Sequence, residues 1–119
     1  MKYVDGYLIP VPLKNLPAYR RMAQKAGKIW RELGALEFRE TVGDDMEAEF
    51  ALPFPRTLKT KPGETVVFSW IVFKSRAQRD AVNKKIMKDP RLASMMDPKK
   101  TPFDAKRMVY GGFKMMVDE

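Results

Sequence analysis

Between Leu16 and Leu33 the apolar positions Leu16, Tyr19, Met22, Ala23, Ala26, Trp30 and Leu33 recur at steps of three and four. That is the period of an amphipathic helix with one buried stripe. Asn15 stands where an N-cap belongs, Pro17 is tolerated in the first turn, and Gly34 offers a C-terminal stop. A second helix is expected from a cap at Ser75 to about Lys88, with Ala77, Ala81, Val82 and Ile86 on its inner side. Asp89-Pro90 repeats the cap-plus-proline start for a short helical turn ending near Met96.

Elsewhere the pattern changes to mixed aromatic and β-branched runs, which read as strands. Tyr3 to Val11 is the first and breaks at Pro10-Val11-Pro12. In the second, Leu36, Phe38 and Val42 alternate with Glu37, Arg39 and Thr41, and Glu40 breaks the alternation. Thr65–Phe73 follows the punctuation of Pro62-Gly63, and Met108–Val117 closes the chain. Gly111-Gly112 within the last run predicts a bulge or the close approach of another backbone. The order β-α-β-β-α-β predicts an α+β fold, the ferredoxin-like sandwich, with two helices on one face of a four-stranded antiparallel sheet. One domain over residues 1–119 is expected, since two cores would not fit in 119 residues.

Two helices cover only one face of such a sheet, yet both faces are apolar. In the third strand Val66, Phe68, Trp70 and Val72 point one way, and Val67, Ile71 and Phe73 the other. In the fourth, Val109, Phe113, Met115 and Val117 oppose Met108, Tyr110 and Met116. A patch of that size rarely stays exposed, so a homodimer formed through the sheet face is expected, with Ile71 and Val109 as its test positions. Two long irregular segments read as lids or arms. Residues 44–62 run from acidic (Asp44, Asp45, Glu47, Glu49) through Phe50-Ala51-Leu52-Pro53-Phe54-Pro55 to basic (Arg56, Lys59, Lys61), and residues 97–106 carry Pro98 and Pro102.

Composition narrows the chemistry. The chain has neither cysteine nor histidine. This removes disulfides, thiolate nucleophiles, Ser-His-Asp triads and His- or Cys-ligated metal or haem. No cofactor and no transition-metal site is therefore expected; Asp44-Asp45 could hold Mg²⁺ or Ca²⁺ loosely, or simply be solvated. The longest strongly apolar run, Val66 to Phe73, is too short for a membrane span, and Met1–Gly6 carries no leader pattern, so a cytoplasmic location is expected. The net charge is +8. Its carriers Arg20, Arg21, Lys25, Lys28 and Arg31 on the first helix, and Arg76, Arg79, Lys84, Lys85 and Lys88 on the second, read as solvated outer faces. The ferredoxin-like fold also serves RNA recognition, and Phe68 and Trp70 superficially fit stacking platforms. The RNA signature is absent and the cations are on the helices, which argues against nucleic acid.

Long blocks of the sequence resemble the YbaA-like family, small bacterial proteins of unknown function. They are Tyr3-Val4-Asp5-Gly6-Tyr7 to Pro10-Val11-Pro12, Gly34-Ala35-Leu36-Glu37, Gly43-Asp44-Asp45, Lys61–Trp70, Asp89-Pro90-Arg91-Leu92, Pro102-Phe103-Asp104 and Lys106–Phe113. The resemblance implies the dimeric α/β-barrel superfamily, in which two ferredoxin-like subunits pack sheet against sheet. It implies no particular reaction, cofactor or catalytic residue.

The candidate chemistry is carboxylate chemistry. Glu37 and Arg39 share one face of the second strand, and Asp5, with Tyr3 and Tyr7, one face of the first. If they converge, a buried carboxylate beside Arg and Tyr could serve as base with an anion-stabilising partner; otherwise they are structural ion pairs or edge residues. Tyr7, Trp70, Ser69 and Tyr110, with Trp30 and Phe68, could line a pocket for a flat small molecule, although helix and strand tryptophans are also ordinary core. Met95-Met96 and Met115-Met116 read as adaptable filler. The function classes left open are a cofactor-independent oxygenase or isomerase, a non-catalytic ligand-binding or stress-related dimer, and a weak RNA-binding module.

Overall fold

The computed structural model describes residues 1–95 and 97–119, so the expected helix end at Met96 and that residue's role as filler lie outside the described residues. The elements are β1 (Tyr3–Pro12), α1 (Leu16–Glu32), β2 (Glu37–Val42), α2 (Phe54–Leu58), β3 (Glu64–Phe73), α3 (Arg76–Lys88), α4 (Pro90–Met95) and β4 (Val109–Lys114). The strands form one antiparallel sheet in the order β2-β3-β1-β4. This is the ferredoxin-like arrangement. No helix among the described residues is long and apolar enough to cross a membrane.

Register assigns the faces. Tyr7 pairs with Ser69 and Tyr110, Asp5 with Ile71 and Gly112, Phe38 with Ile71, and Glu40 with Ser69. Since cross-strand partners share a face, these residues point toward the helices. The opposite face carries Arg39 beside Trp70, Thr41 beside Phe68, Leu8 beside Phe68 and Val109, and Val4 beside Val72 and Phe113. The two apolar sets expected in β3 are thus separated as the alternation requires. Ile71 belongs to the helix-side core and is 3% exposed, so it is not an interface position; Val109 is on the open face at 49%.

Two packed groups fill the space under the helices: Tyr3, Ile29, Ile71, Phe73, Val82 and Ile86 with neighbours, and Ile9, Val11, Tyr19, Ala23 and Val67. Tyr7 packs against both groups. α1 approaches β2 closely at Gly27, where an added Cβ would lie 2.6 Å from Phe38 Cδ1. Gly34 ends the helix region with φ of 126°, a conformation that an L side chain resists.

Several local expectations are corrected. Ser75 caps α3 by accepting the Gln78 N–H at 3.1 Å, but Asn15 makes no cap: its amide donates to the Pro102 carbonyl, 3.1 Å away. The inner side of α3 is Arg79, Val82, Asn83 and Ile86, while Ala77 and Ala81 face solvent. Arg79 is consequently no part of a solvated basic face. β4 stops at Lys114 rather than Val117, because β1 begins at Tyr3 and leaves only one further bond, from Met115 N–H to the Lys2 carbonyl. Met116 and Val117 are exposed. Gly111-Gly112 forms no bulge; the register runs through it, and Gly112 accommodates the Tyr3 side chain, whose hydroxyl would lie 2.5 Å from an added Cβ.

Of the two irregular segments, residues 44–62 include α2, whose Phe54 packs edge-on against Phe68 with ring centroids 6.3 Å apart, on the open sheet face. The second segment closes over the helix side. Phe103 meets Tyr19 at 5.6 Å. Arg107 ties this segment to β3 through two hydrogen bonds to Glu64, of 2.6 and 2.9 Å, and holds the Glu64 carboxyl down at about 2.

Candidate functional site

A cavity of about 250 Å³ lies between α1, the sheet and the 97–108 segment. Its walls are mostly apolar and aromatic, among them Trp30, Phe38, Met22 and Phe103, with Tyr7, Tyr19, Ser69 and Glu40 supplying polar groups. By liquid water's share of about 30 Å³ per molecule, it has room for a compound the size of a substituted single ring. A wider groove of about 910 Å³ runs between α1 and β2, and the two share Tyr19, Ala23, Phe38, Arg39 and Glu40.

Glu40 is the chemical centre of this arrangement. Its residue sits on edge strand β2 with much of its surface exposed, but its carboxyl turns under α1 and accepts the Tyr19 hydroxyl at 2.8 Å. Burial raises the carboxyl's pKa, against hydrogen bonds from Tyr19 and Ser69 that lower it. Burial also raises the phenols of Tyr7 and Tyr19, and the neighbouring carboxylates Asp5 and Glu40 respectively add to this, so both remain proton donors at neutral pH. A carboxyl raised by burial beside protonated phenols can move a proton on a bound molecule. Glu40 was not among the expected candidates. Its signal was the broken alternation: a carboxylate between Phe38 and Val42, on the face that the helices cover.

Asp5 is buried next door, at 0% exposure. Its Oδ1 accepts the Tyr110 hydroxyl at 3.1 Å and lies 3.5 Å from Arg79 Nη1, while Oδ2 has no partner. Arg79 also donates to the hydroxyls of Tyr110 and Tyr3, at 2.8 and 3.3 Å, and stacks over the Tyr3 ring. Burial raises the Asp5 carboxyl, opposed by Arg79 and the Tyr110 bond. The expected convergence of Asp5 with Glu37 and Arg39 is not formed. Glu37 and Arg39 pair with each other at 3.3 Å on the opposite face, because the β2 register alternates them away from Phe38 and Glu40.

The aromatic candidates divide likewise. Tyr7 and Ser69 line the cavity, and Tyr110 stacks against Tyr7 at 5.0 Å. Trp70 is on the open face with Phe68, at 5.4 Å, so it is no wall of the cavity; Trp30 is. No group of three or more Asp or Glu side chains is placed to hold a metal among the described residues, at Asp44-Asp45 or elsewhere.

Fold and site together define a ferredoxin-like domain with an apolar chamber on its helix side and one carboxyl in its wall. The chain belongs to the family described as "Protein of unknown function (DUF1428)", which matches residues 2–105. It is 44% identical to the "Uncharacterized protein YbaA" of Escherichia coli (strain K12) over 119 residues, the full length of both chains. Its identity to the "Uncharacterized protein YbaA" of Shigella flexneri is the same 44%, again over the whole of both chains.

Proposed function

We propose that the chain binds a small, mostly apolar carbonyl or aromatic compound against the Glu40–Tyr19 pair and isomerises it by proton transfer without a cofactor. Glu40 takes a proton from carbon next to a carbonyl and returns it at another position. The Tyr7 phenol stabilises the oxygen on which charge develops, while Tyr19 orients the Glu40 carboxyl. The observation that supports this reading is a carboxyl raised by burial in the wall of an apolar cavity of about 250 Å³. An isomerisation needs no co-reactant, which favours it over oxygen insertion in the same chamber. A cytoplasmic setting belongs to this reading; a chain without cysteine is indifferent to reducing conditions.

The test is a thermal-shift panel of single-ring ketones and phenols, followed by deuterium incorporation from D₂O by NMR for each compound that stabilises the fold. Stabilisation with exchange that Glu40→Gln abolishes is the expected result. Stabilisation without exchange makes the chain a ligand-binding domain, and a panel that neither binds nor exchanges overturns the reading.

We infer further that a second copy covers the open sheet face. Its support is the apolar row Phe68, Val109 and Phe113, exposed by 44, 49 and 60%.

A further inference from the structure

The groove between α1 and β2 combines two chemistries. Leu16, Ala23, Phe38 and Val67 make an apolar floor, with Glu40 and Tyr19 at the same level. Arg20, Lys28 and Arg31 stand along the α1 side, spaced so that one helix face carries all three, with the neutral Gln24 between them. Among the described residues of the lining, Glu40 is the only carboxylate. Arg31 is held in place by donating to the Leu36 carbonyl, and Arg20 and Lys28 form no ion pair among the described residues.

We propose that the ligand is an organic anion, a ring or short chain bearing a carboxylate, whose charged group is drawn to the cation row Arg20, Lys28 and Arg31 and pairs with one of its members, while its apolar body lies along the floor toward Glu40. This names the substrate class of the site proposed above and rests on that reading. Cations on one wall with a single opposing acid give a positive potential that favours anions over neutral compounds of the same shape. An apolar floor then separates a ring-bearing anion from acetate, which has no body to bury. Guanidinium groups pair with carboxylate in a planar fork, so Arg20 and Arg31 suit this head group.

The experiment measures Kd by calorimetry for phenylacetate, phenylacetamide and acetate with the full chain and with the Arg20→Gln/Lys28→Gln double variant. Both replaced side chains are exposed, so the variant should keep its fold, which far-ultraviolet dichroism and thermal unfolding verify. Phenylacetate is expected to bind at least roughly ten-fold tighter than either companion, to lose about that factor in the double variant, and to weaken with added salt. Equal binding of phenylacetate and phenylacetamide, unchanged in the variant, overturns the anion inference and leaves the cavity reading standing. Equal binding of acetate reduces the groove to a patch of charge and likewise overturns it. Failure of both ring compounds to bind counts against the inference and the cavity reading together.

Discussion

Asp5 illustrates how one residue's environment decides what it costs. Its carboxyl is wholly buried, carries one unpartnered oxygen, and depends on Arg79 and the Tyr110 hydroxyl for compensation. Removing one partner of a buried pair typically costs about 3–5 kcal/mol, since it strands the other charge. The pH dependence follows from the raised carboxyl. The folded chain holds this proton more tightly than the unfolded chain, whose value is the ordinary 3.8. The resulting stability is complete below that value and is lost as pH rises through the folded value. Arg79→Gln raises the folded value further, so its penalty should be large at pH 7 and clearly smaller at pH 4. Urea unfolding at the two pH values measures it, and an equal penalty at both would refute the pairing. Asp5 itself was legible as a candidate, but its partners were not. Arg79 and Tyr110 lie 74 and 105 positions away, and no local pattern announces a contact of that separation.

At the level of elements, period and punctuation served well where one force dominated. The α1 stripe, the two faces of β3 and the Ser75 cap follow from alternation, helical spacing and capping chemistry. They failed where two forces compete. Ala77 and Ala81 are apolar, yet Arg79 turns inward because Asp5 lies beneath it, and an ion pair outweighs two methyl groups. α2 carries no periodic signal because it is only five residues long and one of them is Pro55. The seam between α1 and β2 gives a test in which magnitudes decide the sign. In an ordinary helix Gly27→Ala should stabilise by up to about 1 kcal/mol. Here the new methyl would sit 2.6 Å from the Phe38 ring, and overpacking of this kind costs about 1–3 kcal/mol. Net destabilisation is expected, with recovery in Gly27→Ala/Phe38→Leu. A stabilised single variant in denaturant titration would show that α1 is free to move away from the sheet.

For the whole molecule, the sheet divides labour between its faces. The helix side is packed apart from the cavity, and holds the titratable groups Asp5, Tyr7, Tyr19 and Glu40. The other side presents Phe68, Trp70, Val109 and Phe113 with Phe54 of α2 at its margin, and only Arg39 and Glu37 as charged groups on β2. Exposed apolar area of this kind is unfavourable in water by about 25 cal/mol per Å², and a stable interface hides roughly 1,200–2,000 Å² in total. A second copy presenting the same face would satisfy that need, since a two-fold axis sets the same patch of both subunits against each other. The full chain should therefore sediment as a dimer at micromolar concentration. Val109→Lys and Phe113→Lys place an unpaired ammonium within the apolar face, on edge strand β4, and should each yield a monomer or an aggregating chain. Lys84→Gln, on the exposed side of α3, should change nothing. The comparison is decisive because Ile71→Lys would unfold the helix-side core whether or not a dimer exists, whereas Val109 and Phe113 touch little within their own chain. A wild-type chain that sediments as a stable monomer at these concentrations would leave the open face to some other partner and remove the second copy from the reading.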